Sequence, residues 1–196
     1  MFFRRNSGPV SWIIIFLGNP GARFDNSRHN VGFFTADAIE EKAGVRINKL
    51  KFKSLTAAAT LEGARVFFMK PQTYMNLSGD AAAQALNFYK LQRSNLLVVS
   101  DDVSLPAGKL RVRRRGSSGG HNGLKDIIAK CGGEDFPRIK IGVGAPPSED
   151  YDLADWVLSK LTPSDEILLK QAAEKAALAI SAIVANGIES AMELFN

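Results

Sequence analysis

The run from Trp12 to Leu17 is continuously apolar, of strand length, and stops abruptly at Gly18-Asn19-Pro20-Gly21. A strand with no polar alternation has no face to offer water, so this run predicts a strand buried on both sides. Burial on both sides needs one layer of structure above the sheet and another below it. With 196 residues and 45% hydrophobic content, the chain can fill such a core, and a second domain would be unusual.

The segments that supply those layers alternate along the chain. Val31–Ala43 reads as a helix, with Phe33, Phe34, Ala38 and Ile39 at helical spacing and Gly44 as its stop. Leu55–Leu61 and Arg65–Met69 read as strands around the turn Glu62-Gly63. Ser78-Gly79-Asp80 opens a helix to about Leu91, with Ala85, Leu86 and Phe88 facing inward. Leu96–Ser100 is a short apolar strand, and Lys109–Arg115 a strand with a basic face. Asn122 or Gly123 opens a helix to about Cys131, stopped by Gly132-Gly133. Arg138–Val143 alternates as a half-buried strand. Thr162 as N-cap, Pro163 at the first helical position and Asp165 as capping-box partner begin a long helix that ends at Asn186-Gly187.

No repeat, low-complexity tract or linker interrupts this order. It predicts one α/β domain over residues 1–196, with a mixed, largely parallel sheet flanked by helices on both sides. In such sheets the working residues sit on loops beyond the strand ends. The Asn19 turn, Asp101 with Asp102, and the Gly119–Asn122 loop are therefore expected to meet at one edge.

Composition narrows the setting. The single cysteine, Cys131, excludes an internal disulfide and argues against a thiolate metal site. Phe2-Phe3-Arg4-Arg5 followed by Trp12–Leu17 resembles a leader, but the apolar run is too short to span a membrane. It also ends in a turn rather than a small-residue cleavage site. A paired-arginine export signal is the remaining alternative; the expectation is a cytoplasmic protein with no membrane contact. The net charge of +5 is unevenly spread, because residues 148–196 hold nine acidic side chains against three basic ones. The positive excess centres on Lys109, Arg111, Arg113, Arg114 and Arg115, joined by Arg138 and Lys140. A localised positive field suits a polyanion such as nucleic acid, although a basic strand edge also discourages aggregation.

Most catalytic motifs are absent: no phosphate-binding GxxxxGK[ST], no GxGxxG after the first strand and no HExxH. No pair of potential metal ligands has useful spacing. What remains is a pair of histidines, His29 and His121, each followed directly by asparagine. Histidine titrates near neutral pH, and asparagine both donates and accepts hydrogen bonds without charge. A carboxylate at a strand end, Asp101, is placed to orient His29, and no serine sits on a nucleophile elbow; a His–Asp pair acting directly on water is the simpler chemistry. Gly116–Gly123 leads into a helix, where backbone amides attract anions, or it is a tight turn needing positive φ at Gly119 or Gly120. Asn19, Asn76 and Asn122 are singly turn formers. Grouped around a base, they resemble neutral partners for peptide or ester groups.

Six stretches taken together resemble bacterial peptidyl-tRNA hydrolases. They are Gly18-Asn19-Pro20-Gly21, Arg28-His29-Asn30-Val31-Gly32 and Lys70-Pro71-Gln72-Thr73-Tyr74-Met75-Asn76-Leu77-Ser78-Gly79. Further on come Ser100-Asp101-Asp102-Val103-Ser104-Leu105-Pro106, Gly119-Gly120-His121-Asn122-Gly123-Leu124-Lys125 and Arg138-Ile139-Lys140-Ile141-Gly142-Val143-Gly144. The resemblance implies cleavage of the ester joining a peptide to the tRNA 3′ ribose, with neither metal nor cofactor and no obligate protein partner. It implies His29 as general base, Asp101 as its support, and Asn19 as the group that separates peptidyl from aminoacyl substrates. It places Phe24, Tyr74, Met75, Asn76, Gly119, His121 and Asn122 around the substrate, and Arg113 and Lys140 on tRNA phosphates.

Three positions depart from the pattern. Phe24 stands where the family often has tyrosine, Ser104 where many members have an acid, and Ser118 where some have histidine. None of them removes the base or its carboxylate. The competing expectation is an RNA-holding module on the same fold, which would have no need of His29, Asp101, Asn19, Asn76 and Asn122 together.

Overall fold

The structure is a computed structural model and describes residues 8–148 and 150–196. Among the described residues seven strands form one sheet: β1 (Trp12–Phe16), β2 (Lys49–Lys51), β3 (Ser54–Leu61), β4 (Ala64–Pro71), β5 (Leu96–Asp102), β6 (Leu110–Arg113) and β7 (Arg138–Gly142). Their spatial order is β2-β3-β4-β1-β5-β7-β6. The centre is parallel, with β1 between β4 and β5 and β5 beside β7; the margins, β2–β3–β4 and β6–β7, are antiparallel. The sheet is mixed, as the order of segments requires.

The apolar run at the start becomes the central strand for the reason its composition states. Ile14 and Phe16 point into a core closed by α1 (Val31–Ala43), α5 (Pro163–Asn186) and α6 (Ile188–Phe195). Ile13, Ile15 and Leu17 point the other way, against α2 (Ser78–Tyr89) and α3 (Asn122–Cys131). All five are fully buried. Alternate side chains of a strand face opposite sides of the sheet, so two cores require apolar residues at every position.

Close approach fixes how α1 leaves β1. A Cβ on Gly32 would lie 2.2 Å from the Leu17 carbonyl oxygen, so only glycine lets the first turn of α1 press on the strand end. The preceding residues, Arg28–Asn30, form a 3-10 turn that is buried throughout. Most expected boundaries hold, including the Gly44 stop, the Glu62-Gly63 turn and the Thr162–Pro163 start.

Several details differ. Phe88 is 59% exposed rather than inward; it stacks on Phe52 and Tyr89 at the surface, with the Lys51 ammonium 3.8 Å from its ring centroid. The basic strand is shorter than expected and ends at Arg113. The short strand β2, the six-residue helix α4 (Leu153–Leu158) and the eight-residue α6 are too short for their patterns to stand out in the sequence. Asp165 does not complete a capping box: Thr162 Oγ1 accepts from the Asp165 N–H, but the Asp165 carboxylate pairs with Arg28. Among the described residues no helix is long and apolar enough to cross a membrane. The Phe2-Phe3-Arg4-Arg5 segment lies outside the described residues.

Candidate active site

The loops after β1, β4 and β5 converge, as the switch from strand to loop at the carboxyl edge of a parallel sheet allows. Asp101, near the end of β5, is buried and is the hub. Its Oδ1 accepts from His29 Nδ1 at 2.8 Å and from His121 Nε2 at 2.9 Å, and the two imidazole rings lie 4.9 Å apart. The residues are 72 and 20 positions from Asp101, so nothing local announces the cluster.

The two rings are held differently. His121 is the N-cap of α3, and its Nδ1 accepts from the Gly123 and Leu124 backbone N–H groups. Nδ1 therefore carries no proton, and Nε2–H donates to Asp101. Both nitrogens of His121 are engaged. His29 donates Nδ1–H to Asp101 and leaves Nε2 free, on a ring that lines two adjoining compartments of a cleft. Burial is the largest influence on His29 and opposes its charged form, but the Asp101 charge and hydrogen bond together outweigh it, so its pKa is raised. Burial likewise opposes the charged form of Asp101, yet the two histidines hold its pKa far below the carboxylate range.

Asn19 follows β1 and is locked in place by Asn30. Asn30 Oδ1 accepts the Asn19 backbone N–H at 2.8 Å, and Asn30 Nδ2 donates to the Asn19 carbonyl at 3.0 Å. Asn19 Oδ1 in turn accepts the Met75 backbone N–H at 2.8 Å. That acceptor fixes the amide's orientation and leaves Nδ2, a pure donor, at the cleft without a partner among the described residues. Asn76 and Asn122 line the same compartment, exposed and available, with buried Met75 as its floor. Met75 sulfur also explains Gly123, where a Cβ would come within 2.7 Å. Phe24 and Tyr74 meet edge to face nearby at 6.5 Å, with Tyr74 half-exposed.

The second compartment is bounded by Asp102, Gly119, His121 and Lys140. Gly119 and Gly120 have φ of 57° and 83°, so the glycines serve the turn. The first amides of α3, expected to draw an anion, are already engaged by His121. The cation at this place is Lys140, whose Nζ is 2.9 Å from Asp102 Oδ2. The β6–β7 register sets Arg111 opposite Lys140 and Arg113 opposite Arg138. Arg138 does not belong to the surface cluster. It is fully buried, donates to the Ser117, Glu134 and Phe136 carbonyls, and burial pushes its pKa down to about 10. It braces the glycine loop from behind.

Sequence spacing showed no metal-ligand set, yet one atom each from His29, Asp101 and His121 lie within 4.8 Å of one another. A cation there would displace the protons of both hydrogen bonds to Asp101, and the Nδ1 of His121 would still be tied to its helix. Sequence reading also missed α4, which contributes Ala154 and Val157 to both compartments. The Asp152 N-cap was the only local signal for it.

Fold and site define an α/β domain whose sheet edge carries an imidazole–carboxylate pair inside an amide-lined cleft. The chain and its fold match known proteins. The peptidyl-tRNA hydrolase family model matches residues 13–196. A peptidyl-tRNA hydrolase of Caldanaerobacter subterraneus subsp. tengcongensis is 49% identical over 185 residues, covering 94% of this chain and 99% of that protein. One from Chloroflexus aggregans is 43% identical over 186 residues, with 94% and 98% covered. The crystal structure of peptidyl-tRNA hydrolase from Acinetobacter baumannii superposes with a TM-score of 0.89 at 30% identity, covering 97% of each chain. The chain belongs to the peptidyl-tRNA hydrolase family.

Proposed function

We propose that the protein hydrolyses the ester of peptidyl-tRNA, releasing free tRNA and peptide, and that His29 is the general base. The observation that carries this is the His29–Asp101 bond, which commits Nδ1 and leaves Nε2 open to a water in the cleft. Nε2 takes a proton as the water oxygen adds to the ester carbonyl. The resulting imidazolium faces the Asp101 carboxylate, and it returns the proton to the ribose oxygen as the C–O bond breaks. No step needs a metal.

Asn19 accounts for a preference for peptidyl over aminoacyl groups. Its free Nδ2 donates to a peptide carbonyl but faces the ammonium of an aminoacyl group donor to donor. A mismatched polar contact of this kind costs about 1–3 kcal/mol. Asn76 and Asn122 hold the acyl portion, with Met75, Tyr74 and Phe24 as its walls. Arg113 and Lys140, beside Gly119, bind acceptor-stem phosphates. Such contacts position a nucleic acid without reading its sequence. At Lys140 a phosphate competes with Asp102 for the ammonium. The protein acts as a cytoplasmic monomer.

The test is incubation of the protein with an N-acylated aminoacyl-tRNA, with and without a chelator. Release of free tRNA at an equal rate in both supports the proposal. Retention of intact substrate under saturating binding leaves the RNA-holding role instead, and loss of activity with chelator assigns the three clustered side chains to a metal.

A further inference from the structure

The helix α4 is a wall of the cleft with almost nothing of its own to hold it there. It has six residues, none of them buried, and a helix of that length has no independent stability. Its Trp156 indole N–H donates to the Gly144 carbonyl at 2.8 Å. A second side-chain attachment runs to Arg28, immediately before His29.

Arg28 is 5% exposed. Its guanidinium lies 3.7 Å from the Trp156 ring centroid, donates to Ser159 Oγ at 2.9 Å and to the Lys160 carbonyl at 3.4 Å, and pairs with Asp165 at 2.6 Å. Its Nε is buried without a partner among the described residues. One planar group therefore binds the middle of α4, the residues after it and the first turn of α5. Backbone contacts between Ser27 and Lys160, and from Leu161 N–H to the Asn26 carbonyl, close the same seam.

We propose that Arg28 is a positioning residue for substrate, setting α4 as the wall of both compartments beside His29; this rests on the hydrolase reading above. The role requires arginine. A flat cation can stack on Trp156 while its fork reaches Ser159 and Asp165, whereas an ammonium satisfies one of these at a time. The hydrogen bonds of Arg28 run to Ser159, Lys160 and Asp165, not to Asp101 or His29. Its loss moves the wall that contacts substrate and leaves the base alone.

The experiment measures KM and kcat for N-acetyl-aminoacyl-tRNA, the pH–rate profile and the melting temperature in Arg28→Lys, Trp156→Leu, Trp156→Phe and the Arg28→Lys/Trp156→Leu pair. Arg28→Lys is expected to raise KM about tenfold with kcat within about twofold and the pH midpoint unmoved. Trp156→Leu gives a similar rise, and the double variant is no worse than the single ones, because both remove one stacked contact. Trp156→Phe keeps an aromatic face and recovers most of the loss. An unchanged KM, a kcat loss with a moved pH midpoint, additive effects, or a fall in melting temperature alone would each overturn the proposal. If Arg28→Lys does not fold, the partly exposed Trp156 pair carries the comparison. If the wild-type protein binds this tRNA without cleaving it, the hydrolase reading fails separately. The dissociation constants of the same variants then decide the wall: a tenfold weakening supports it and equal affinity sinks it.

Discussion

The turn Arg28–Asn30 and the segment Gly116–His121 both send a histidine to Asp101, yet they are built in opposite ways. In the first, Arg28, His29 and Asn30 are all buried, and each is tied to a different element: α4 and α5, β5, and the end of β1. The second is a largely exposed, positive-φ loop that stands beside Arg111, Arg113 and Lys140 and is braced from behind by buried Arg138. Its histidine is closed off at both nitrogens, while that of the buried turn keeps one open. A reactive group needs a rigid setting and one free atom. A polyanion contact needs exposed charge and tolerates a mobile frame. On the proposed reading, the difference separates the chemistry from the grip.

The sharpest way to break that division is His29→Ala, which should reduce kcat for peptidyl-tRNA by about 10³-fold or more with tRNA affinity nearly unchanged, as read by single-turnover cleavage and filter binding. Near-normal turnover would move the chemistry elsewhere. Next in size is Asp101→Asn, with an expected plateau loss of about 10²–10⁴-fold. Its pH dependence has a definite sign. A general base works deprotonated, and the raised pKa of His29 sets the acid limb above the ordinary histidine value. Removing the carboxylate removes what raises it and leaves burial, which lowers it, so the limb must move to lower pH even as the plateau falls. A limb that stays put would show that Asp101 does not face the working ring.

His121→Asn tests the closed histidine. Asparagine is a good N-cap, so α3 survives, but Asp101 loses one donor and its charge acts more fully on His29. The acid limb should rise by roughly one unit or less, with a plateau loss of about tenfold from a less constrained carboxylate. Direct loss of substrate affinity instead would return His121 to the binding surface. The smallest effect belongs to the exposed side. Arg113→Ala should weaken binding of different tRNAs alike and reduce the salt slope by about one, measured as affinity against ionic strength. A loss confined to one tRNA would mean that this face reads sequence.

Legibility followed the range of each signal. The double-sided burial of β1 was visible because it rests on five adjacent residues, and the α5 start because Thr162 and Pro163 are neighbours. Phe88 was misplaced because helical spacing alone does not tell a core face from an aromatic surface cluster over Lys51. Arg138 was misassigned for a similar reason: alternation in β7 marks it as polar, and only the backbone carbonyls of the loop above it let its charge go under. His29, Asp101 and Asn19 stood out as candidates through their residue types and turns, while the placement of His121 beside Asp101 did not.

Residue order by itself determined the strands, the caps, the apolar layers and the supply of imidazole, carboxylate and amide groups, since these follow from periodicity and turn chemistry over a few residues. Only the folded chain decided which nitrogen of which histidine stays open, that one carboxylate oxygen serves two rings, and that Arg28 reaches 137 positions ahead to Asp165. Those outcomes depend on direction and distance between segments brought together by two shared cores. Hydrogen bonds and ion pairs are short-ranged and directional, so they are settled after packing and leave no trace in the local pattern that drives it.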